Sequence, residues 1–226
     1  RSSGARVTQL GDIAERLQRV RQQIADAGGT DVEILAVTKG HGIDAIHAAA
    51  AAGLTRIGEN YAQELVAKIG EAVLDVRVHF IGQLQTNKVR HVAHIVDVYE
   101  TVDRQALIAE IAKRDPGAHV LIQVDTTGEA GKGGCAPAEV EPLVARSSAA
   151  GLVVDGLMTV GPTEGGAEAG RAGFRVVRGL CNGLGLATCS MGMTDDFIVA
   201  VQEGSTRVRL GSALFGMRPA RAAQVR

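Results

Sequence analysis

Between residues 34 and 42 the chain reads Ile34-Leu35-Ala36-Val37-Thr38-Lys39-Gly40-His41-Gly42, an apolar run typical of a buried strand followed by a turn. A helix-like segment, 43–52, comes directly after it. The turn lacks the complete G-x-G-x-x-G pattern with which an open, doubly wound sheet binds a dinucleotide. The segment therefore predicts a strand–helix unit and disfavours the dinucleotide-binding kind of parallel sheet.

The same strand-then-helix order recurs along the chain. Runs rich in apolar or β-branched residues predict strands at 32–38, 55–58, 77–81, 95–100, 119–124, 153–158, 186–190 and 206–210. Helix-like segments lie between them, for example at 43–52, 60–70, 103–114, 138–150, 164–180 and 194–202. Eight strands that alternate with helices predict a single α/β domain over residues 1–226, a (β/α)8 TIM barrel.

An additional N-terminal helix is predicted before the first strand. One helical face carries apolar residues while arginine and glutamine occupy the rest; the apolar residues are Leu10, Ile13, Leu17, Val20 and Ile24. This spacing is typical of an amphipathic helix.

The composition excludes several classes of protein. Lys and Arg total 24 against 25 Asp and Glu, a net charge of -1 that argues against a nucleic-acid-binding surface. The longest apolar stretch, 46–54, is interrupted by His47 and is too short to cross a membrane. Three cysteines without a C-x-x-C spacing indicate neither a disulfide framework nor a metal site. We therefore expect a cytoplasmic protein without nucleic-acid or membrane partners.

Glycines and hydroxyl side chains follow the last two predicted strands. Ser190-Met191-Gly192-Met193-Thr194 comes after the seventh strand, and Leu210-Gly211-Ser212-Ala213 after the eighth. Glycine lets backbone N–H groups approach an anion, and the loops after strands seven and eight are the recurrent phosphate position in TIM barrels. The pattern predicts a phosphate site. The alternative is that the glycines only form tight turns and Ser190 only caps a helix.

Lys39 stands at the end of the first predicted strand. A lysine amine has a pKa of about 10.4 in water, and desolvation lowers that pKa towards a neutral nucleophile. A neutral amine attacks aldehydes and ketones to form a Schiff base. With a phosphate site across the barrel mouth, Lys39 indicates either a phosphosugar aldolase or a pyridoxal 5'-phosphate (PLP) protein.

Arg209 precedes the second of these turns. Enzymes that use PLP place an Asp or Arg beside the pyridine nitrogen. Because arginine only donates hydrogen bonds, it would keep that nitrogen unprotonated. The alternative for Arg209 is a surface ion pair, which is also the role that we expect for Arg207.

Several segments of the chain resemble those of one protein family and occur in the family's order. They are Ala36-Val37-Thr38-Lys39, Ile57-Gly58-Glu59-Asn60-Tyr61-Ala62-Gln63-Glu64, His79-Phe80-Ile81-Gly82-Gln83-Leu84-Gln85-Thr86-Asn87-Lys88, Gly156-Leu157-Met158-Thr159, Ser190-Met191-Gly192-Met193-Thr194-Asp195-Asp196-Phe197, Gly204-Ser205-Thr206 and Arg209-Leu210-Gly211-Ser212-Ala213-Leu214-Phe215-Gly216. On these segments the chain resembles the YggS/PROSC-type pyridoxal phosphate homeostasis proteins, which share the fold-type III barrel of the alanine racemase N-terminal domain.

The resemblance implies PLP as the cofactor and a role for each matching residue. Lys39 would carry PLP as an internal aldimine, Arg209 would face the pyridine nitrogen, and Asn60 would lie near the ring. His79 is carried over as a further pocket residue. The residues implied at the phosphate are Ser190, Met191, Gly192, Gly211 and Ser212.

Two positions depart from the family. The proline that usually follows the lysine is absent from 40–44, and Arg207 stands where the family usually has an apolar residue. Neither departure removes an implied PLP contact.

The function implied is intracellular PLP homeostasis, in which the protein buffers PLP or delivers it to PLP-dependent apoenzymes without a dedicated turnover. Racemisation needs proton donors and acceptors on both faces of the substrate α-carbon. In related racemases the opposite-face tyrosine comes from a separate domain, which we expect this chain to lack, and Tyr61 and Tyr99 have other contexts. The alternatives are a fold-type III amino-acid racemase and a Schiff-base aldolase.

Overall fold

The computed structural model describes residues 12–70, 72 and 74–216, and these residues form a closed parallel barrel. The strands are β1 Glu33–Val37, β2 Arg56–Glu59, β3 Arg77–Phe80, β4 Val98–Val102, β5 His119–Val124, β6 Val153–Thr159, β7 Thr188–Ser190 and β8 Arg207–Leu210. Each strand pairs with the next along the chain, and β8 pairs with β1. The predicted TIM barrel is confirmed, and each predicted strand is present within a few residues.

Helices separate the strands, as the alternating pattern predicts. They are α1 Ile13–Asp26, α2 Ile43–Ala51, α3 Ala62–Ile69, α4 Thr86–Val92, α5 Gln105–Arg114, α6 Val140–Ala149, α7 Arg171–Gly183, α8 Phe197–Gln202 and α9 Ser212–Phe215. The helix predicted from residue 164 cannot include Gly165 and Gly166, whose φ values of 91° and 70° a right-handed helix does not allow. A 3-10 helix spans Ala167–Gly170, and the α-helix begins at Arg171.

The N-terminal helix α1 is confirmed as an amphipathic element. It buries Ile13, Leu17, Val20 and Ile24, which are four of the five predicted residues; Leu10 lies outside the described residues. These side chains join an apolar cluster with residues of β1, β8, α8 and α9. A second and larger cluster fills the space between the strands and helices from β2 to β7.

The described residues include neither a helix long and apolar enough to cross a bilayer nor three His, Cys, Asp or Glu side chains grouped as metal ligands. All three cysteines are unpaired and buried.

Candidate functional site

A cavity of about 740 Å³ lies at the carboxyl ends of the strands. Its walls come from the ends of six strands, so segments far apart in the sequence meet around one space. The lining residues are Val37, Lys39, His41, Asn60, Ile81, Val160, Met193, Thr194, Asp195, Arg209, Gly211, Ser212 and Gly216. This volume is typical of a site for a small molecule or cofactor.

Five of the predicted cofactor residues line this cavity together: Lys39, Asn60, Arg209, Gly211 and Ser212. They follow or end β1, β2 and β8. In a TIM barrel the carboxyl ends of the strands carry the functional groups. The predicted strand ends were therefore enough to predict that these five residues lie on one face of the barrel.

Lys39 and Gly211 follow neighbouring strands, β1 and β8. β1 pairs with β8 with Ala36 opposite Leu210, and a Cβ atom added at Gly211 would be 3.6 Å from the Val37 carbonyl oxygen. The expectation that the Gly211 turn lies across the mouth from Lys39 is wrong, because closure of the barrel makes the first and last strands neighbours.

The other four predicted residues lie outside this lining. His79, Ser190 and Met191 are buried with no exposed surface, and Met191 packs in the larger apolar cluster. Gly192 has a φ of 95°, and a Cβ atom there would be 2.6 Å from the Cβ atom of Ala200. The turn after β7 therefore requires glycine for its backbone conformation and its packing.

Arg209 is a buried residue of the cavity lining that is held by three hydrogen bonds. Its Nη1 donates to the carbonyl and hydroxyl oxygens of Ser190 at 2.7 and 2.9 Å, and its Nη2 donates to the Thr159 carbonyl at 2.6 Å. Burial lowers the pKa of Arg209, and the negative charges of Glu100 and Asp196 oppose that effect. The alternative of a surface ion pair is wrong for this residue.

Arg207 is also buried, contrary to the surface role that the sequence suggests. Its Nη2 lies 2.6 Å from Glu33 Oε2, and its Nη1 lies 3.1 Å from Glu100 Oε1. Because side chains alternate along β8, Arg207 and Arg209 lie on one face of the strand. That face points into the barrel, where acidic partners from other strands pair with Arg207.

Glu100 connects these groups, and sequence reasoning missed it. Its Oε1 accepts from His79 Nδ1 at 2.7 Å and its Oε2 accepts from the Ser190 hydroxyl at 2.7 Å. Burial by itself would raise the pKa of Glu100, but the hydrogen bond from His79 and the nearby positive charges outweigh burial and lower it to about 2. Glu100 stands at a predicted strand end, yet no local signal shows that its partners come from β3, β7 and β8.

The cavity also contains polar residues that sequence reasoning did not assign a role. Thr194 Oγ1 accepts from the Ser212 hydroxyl at 3.3 Å, which links the turns after β7 and β8. His41 packs against Phe215 with ring centroids 5.2 Å apart. Asp195 lies beside Thr194 in the lining. Thr194 ends the segment 190–194 that was noted for its glycine and hydroxyl content, and Asp195 follows it directly. This position is the signal that could have identified both residues.

The glycine-rich loop 128–134 borders a neighbouring cavity of about 150 Å³, which shares Asn60 with the larger one. Lys132 Nζ donates to the Gly161 carbonyl at 2.6 Å. Glu129 accepts from the amide and the hydroxyl of Thr163 at 2.9 and 2.7 Å. These bonds tie the loop to the segment after β6.

The family model described as "Alanine racemase, N-terminal domain" matches residues 8–219. A pyridoxal phosphate homeostasis protein from Pseudomonas aeruginosa is 39% identical over 223 residues, which cover 92% of this chain and 97% of that protein. The protein of the same name from Escherichia coli is 35% identical, with 92% and 98% covered.

The chain belongs to the pyridoxal phosphate homeostasis protein family. PipY of Synechococcus elongatus, solved with PLP bound, matches with a TM-score of 0.78 and 32% identity over 90% of this chain and 100% of PipY. Alanine racemase from Corynebacterium glutamicum shares the fold alone, with a TM-score of 0.71 and 18% identity over 94% of this chain and 62% of that enzyme.

Proposed function

We propose that this chain binds PLP covalently through Lys39 and buffers it or delivers it to PLP-dependent apoenzymes, without a dedicated turnover reaction. The observation that carries this proposal is that Lys39, Arg209 and Ser212 line one cavity of cofactor size. Family membership supports it, because the relatives are named for PLP homeostasis and PipY is known with PLP bound.

The residues of the cavity fit PLP. Asn60 Oδ1 is buried and has no hydrogen-bond partner in the described part of the chain, and a polar ligand would satisfy it. The Thr194 hydroxyl accepts from Ser212 and keeps its own hydrogen to donate to a phosphate beside Gly211. The donor set therefore suits a phosphorylated ring compound.

Lys39 is the residue that would attach the cofactor. A PLP aldehyde condenses with a neutral lysine amine, so that a C=N bond replaces the C=O bond and the oxygen leaves as water. Lys39 follows β1 and lines the cavity together with the apolar residues Val37, Ile81 and Val160.

Arg209 would set the electronic character of the bound ring. Three hydrogen bonds to Ser190 and Thr159 fix the guanidinium, which stays protonated because arginine does not deprotonate in proteins. A fixed cation beside the ring nitrogen disfavours protonation of that nitrogen and weakens the ring as an electron sink. That property suits storage of PLP better than turnover.

The experiment is purification with PLP, an absorption spectrum, borohydride reduction and peptide mapping. We expect the pyridoxyl label on Lys39, and we expect Lys39→Ala to keep the fold and lose the covalent label, because the substitution removes the amine that would form the C=N bond. Lys88→Ala is the control, since Lys88 lies outside this cavity. A label on another lysine of the unmodified protein would refute the assignment.

Amino-acid racemisation is the competing function. His41 and Asp195 line the cavity, and a racemase needs titratable groups on both faces of the substrate α-carbon. Tyr99 is committed elsewhere, with its hydroxyl 2.9 Å from Asp115 Oδ2. Loss of optical activity should be measured for a panel of amino acids, and turnover that Lys39→Ala abolishes would replace the carrier proposal with a racemase.

Delivery is tested separately by mixing the PLP-loaded protein with a PLP-dependent apoenzyme. We expect the apoenzyme to gain activity faster with the PLP-loaded protein than with free PLP. The concentration of free PLP in this comparison equals the concentration that the carrier releases.

A cytoplasmic location is part of the proposal, and it is supported by three unpaired cysteines, which are typical of a reducing compartment. Cell fractionation tests it.

A further inference from the structure

We propose that Lys68, together with Glu59 and Glu64, is a positioning residue that holds the backbone on both sides of Lys39 and so aims the Lys39 amine into the cavity. This inference rests on the proposed function of Lys39. The group formed by Thr38, Gly40, Glu59, Glu64 and Lys68 is called the lysine-39 clamp below.

Lys68 secures the residue before Lys39. Its Nζ donates to the Thr38 carbonyl oxygen at 2.9 Å and lies 2.6 Å from Glu59 Oε1. The Thr38 hydroxyl donates to the same Glu59 oxygen at 2.5 Å. The main chain and the side chain of Thr38 are therefore both bound to this group.

Glu64 secures the residue after Lys39. Its Oε1 accepts from the Gly40 amide at 2.5 Å and lies 3.0 Å from Lys68 Nζ. Gly40 has a φ of 76°, a conformation that other residues rarely adopt. The clamp therefore fixes the turn that changes the direction of the chain directly after Lys39.

The elements explain why these residues meet. Glu64 and Lys68 are four residues apart on α3 and so share one helical face, and Glu59 ends β2, which pairs with β1. The side chains of Lys68 and Glu59 are only 5% and 0% exposed. Both charges are thus withdrawn from water at the edge of the cavity.

The clamp is costly, which argues for a role beyond stability. Desolvation of a buried ion pair offsets most of its Coulomb attraction, so such pairs contribute little net stability. Burial raises the pKa of Glu59 in spite of its bonds to Lys68 and Thr38, and its Oε2 has no hydrogen-bond partner among the described residues. We infer that the role of the clamp is to fix the backbone conformation of residues 38–40.

The test compares a ligand that can react with Lys39 and one that cannot. Lys68→Met removes the ammonium group and keeps the chain length. PLP reports covalent attachment, followed by its absorption change, while pyridoxine 5'-phosphate lacks the aldehyde and reports only the fit of the cavity. We expect the rate of covalent attachment to fall about 10- to 100-fold, because small misplacements of a reacting group have effects of that size. We expect the affinity for pyridoxine 5'-phosphate to stay unchanged.

Arg114→Met is the matched control, because it removes an exposed cation that is also four residues from its acidic partner, Glu110. It should alter neither readout. Lys68→Arg should recover much of the attachment rate, since it restores a cation at the clamp. Glu64→Ala, at a partly exposed position, tests the Gly40 contact should Lys68→Met fail to fold, and it should slow attachment in the same way.

Equal losses for the two ligands, or an unchanged attachment rate in both Lys68→Met and Glu64→Ala, would overturn the positioning role. Failure of the proposed function looks different, because it appears in the unmodified protein as a pyridoxyl label on a residue other than Lys39.

Discussion

At the scale of single residues, the barrel interior is governed by charge compensation. Glu100 is fully buried, and it stays ionised because His79, Ser190 and Arg207 reach it from three other strands. Arg209 in turn is bonded to Ser190, so the residue that faces the cavity is connected to a carboxylate below it. Each of these groups would be unfavourable alone in the core, and they satisfy one another except at His79 Nε2, which has no hydrogen-bond partner among the described residues.

The pKa of Glu100 makes a prediction about stability and pH. Its pKa is lowered from 4.5 to about 2 in the folded state, so the ionised carboxylate stabilises the fold above pH 4.5 and loses that effect as the pH falls towards 2. The difference corresponds to about 3 kcal/mol. Glu100→Gln should therefore be most destabilising at neutral pH, and the gap to the unmodified protein should narrow in acid.

Urea denaturation from pH 7 to pH 3 measures this gap. Glu110→Gln is the control, because the exposed pair of Glu110 with Arg114 contributes little to stability at any pH. If the free-energy difference between Glu100→Gln and the unmodified protein were the same at both ends of this range, Glu100 would not be ionised by its neighbours.

At the scale of elements, close approach between strand ends shapes the cavity. Gly82 follows β3, and a Cβ atom there would lie only 2.0 Å from the Asn60 carbonyl oxygen after β2. The Gly82 carbonyl is itself fixed by the Thr101 hydroxyl at 2.6 Å. The backbone at Gly82 therefore cannot move away easily, and Asn60 lies directly against it.

Gly82→Ala should displace Asn60 and weaken PLP binding. We expect a loss of about 1–3 kcal/mol in stability from overpacking, together with a higher dissociation constant for PLP. Gly179→Ala is the control, since nothing lies within 4 Å of a Cβ atom at that helical position. It should stabilise the protein by about 0.5–1 kcal/mol. Titration with PLP and urea denaturation check both variants, and unchanged PLP affinity in Gly82→Ala would contradict this account.

For the molecule as a whole, two apolar clusters stabilise different parts of the barrel. The cluster that includes α1 also contains Leu214 and Phe215 of α9, directly after the Gly211 turn, and Arg16 Nη1 donates to the Leu214 carbonyl at 3.2 Å. The N-terminal helix thus supports the seam between β8 and β1, where Lys39 and Ser212 both enter the cavity.

Leu17→Ala should lower stability and PLP affinity together. Removing a buried leucine costs about 2–5 kcal/mol, and Leu17 belongs to the same apolar cluster as Leu214 and Phe215, which follow the Gly211 turn. Ile111→Ala, in the other cluster, should cost a similar free energy of unfolding and leave PLP affinity unchanged. Equal PLP affinities in these two variants, measured below their unfolding midpoints, would show that α1 does not support the site.

The order of residues along the chain is sufficient to predict the barrel and part of the cavity lining. Apolar and β-branched runs mark the strands because buried parallel strands need them on both faces, and the carboxyl ends of those strands then place Lys39, Asn60, Arg209, Gly211 and Ser212 around one mouth. These properties are local, since each depends on residues adjacent in the chain.

Which distant groups meet inside the barrel depends on the three-dimensional fold and not on any local pattern. Glu100 bonds to Ser190 across 90 residues and to Arg207 across 107, and no local pattern distinguishes a buried, paired arginine from an exposed one. The same holds for Lys68, whose contact with Thr38 depends on the pairing of β1 with β2. The physical reason is that burial of a charged side chain is unfavourable unless an oppositely charged side chain is buried beside it. Closure of the barrel brings such partners together from distant parts of the chain.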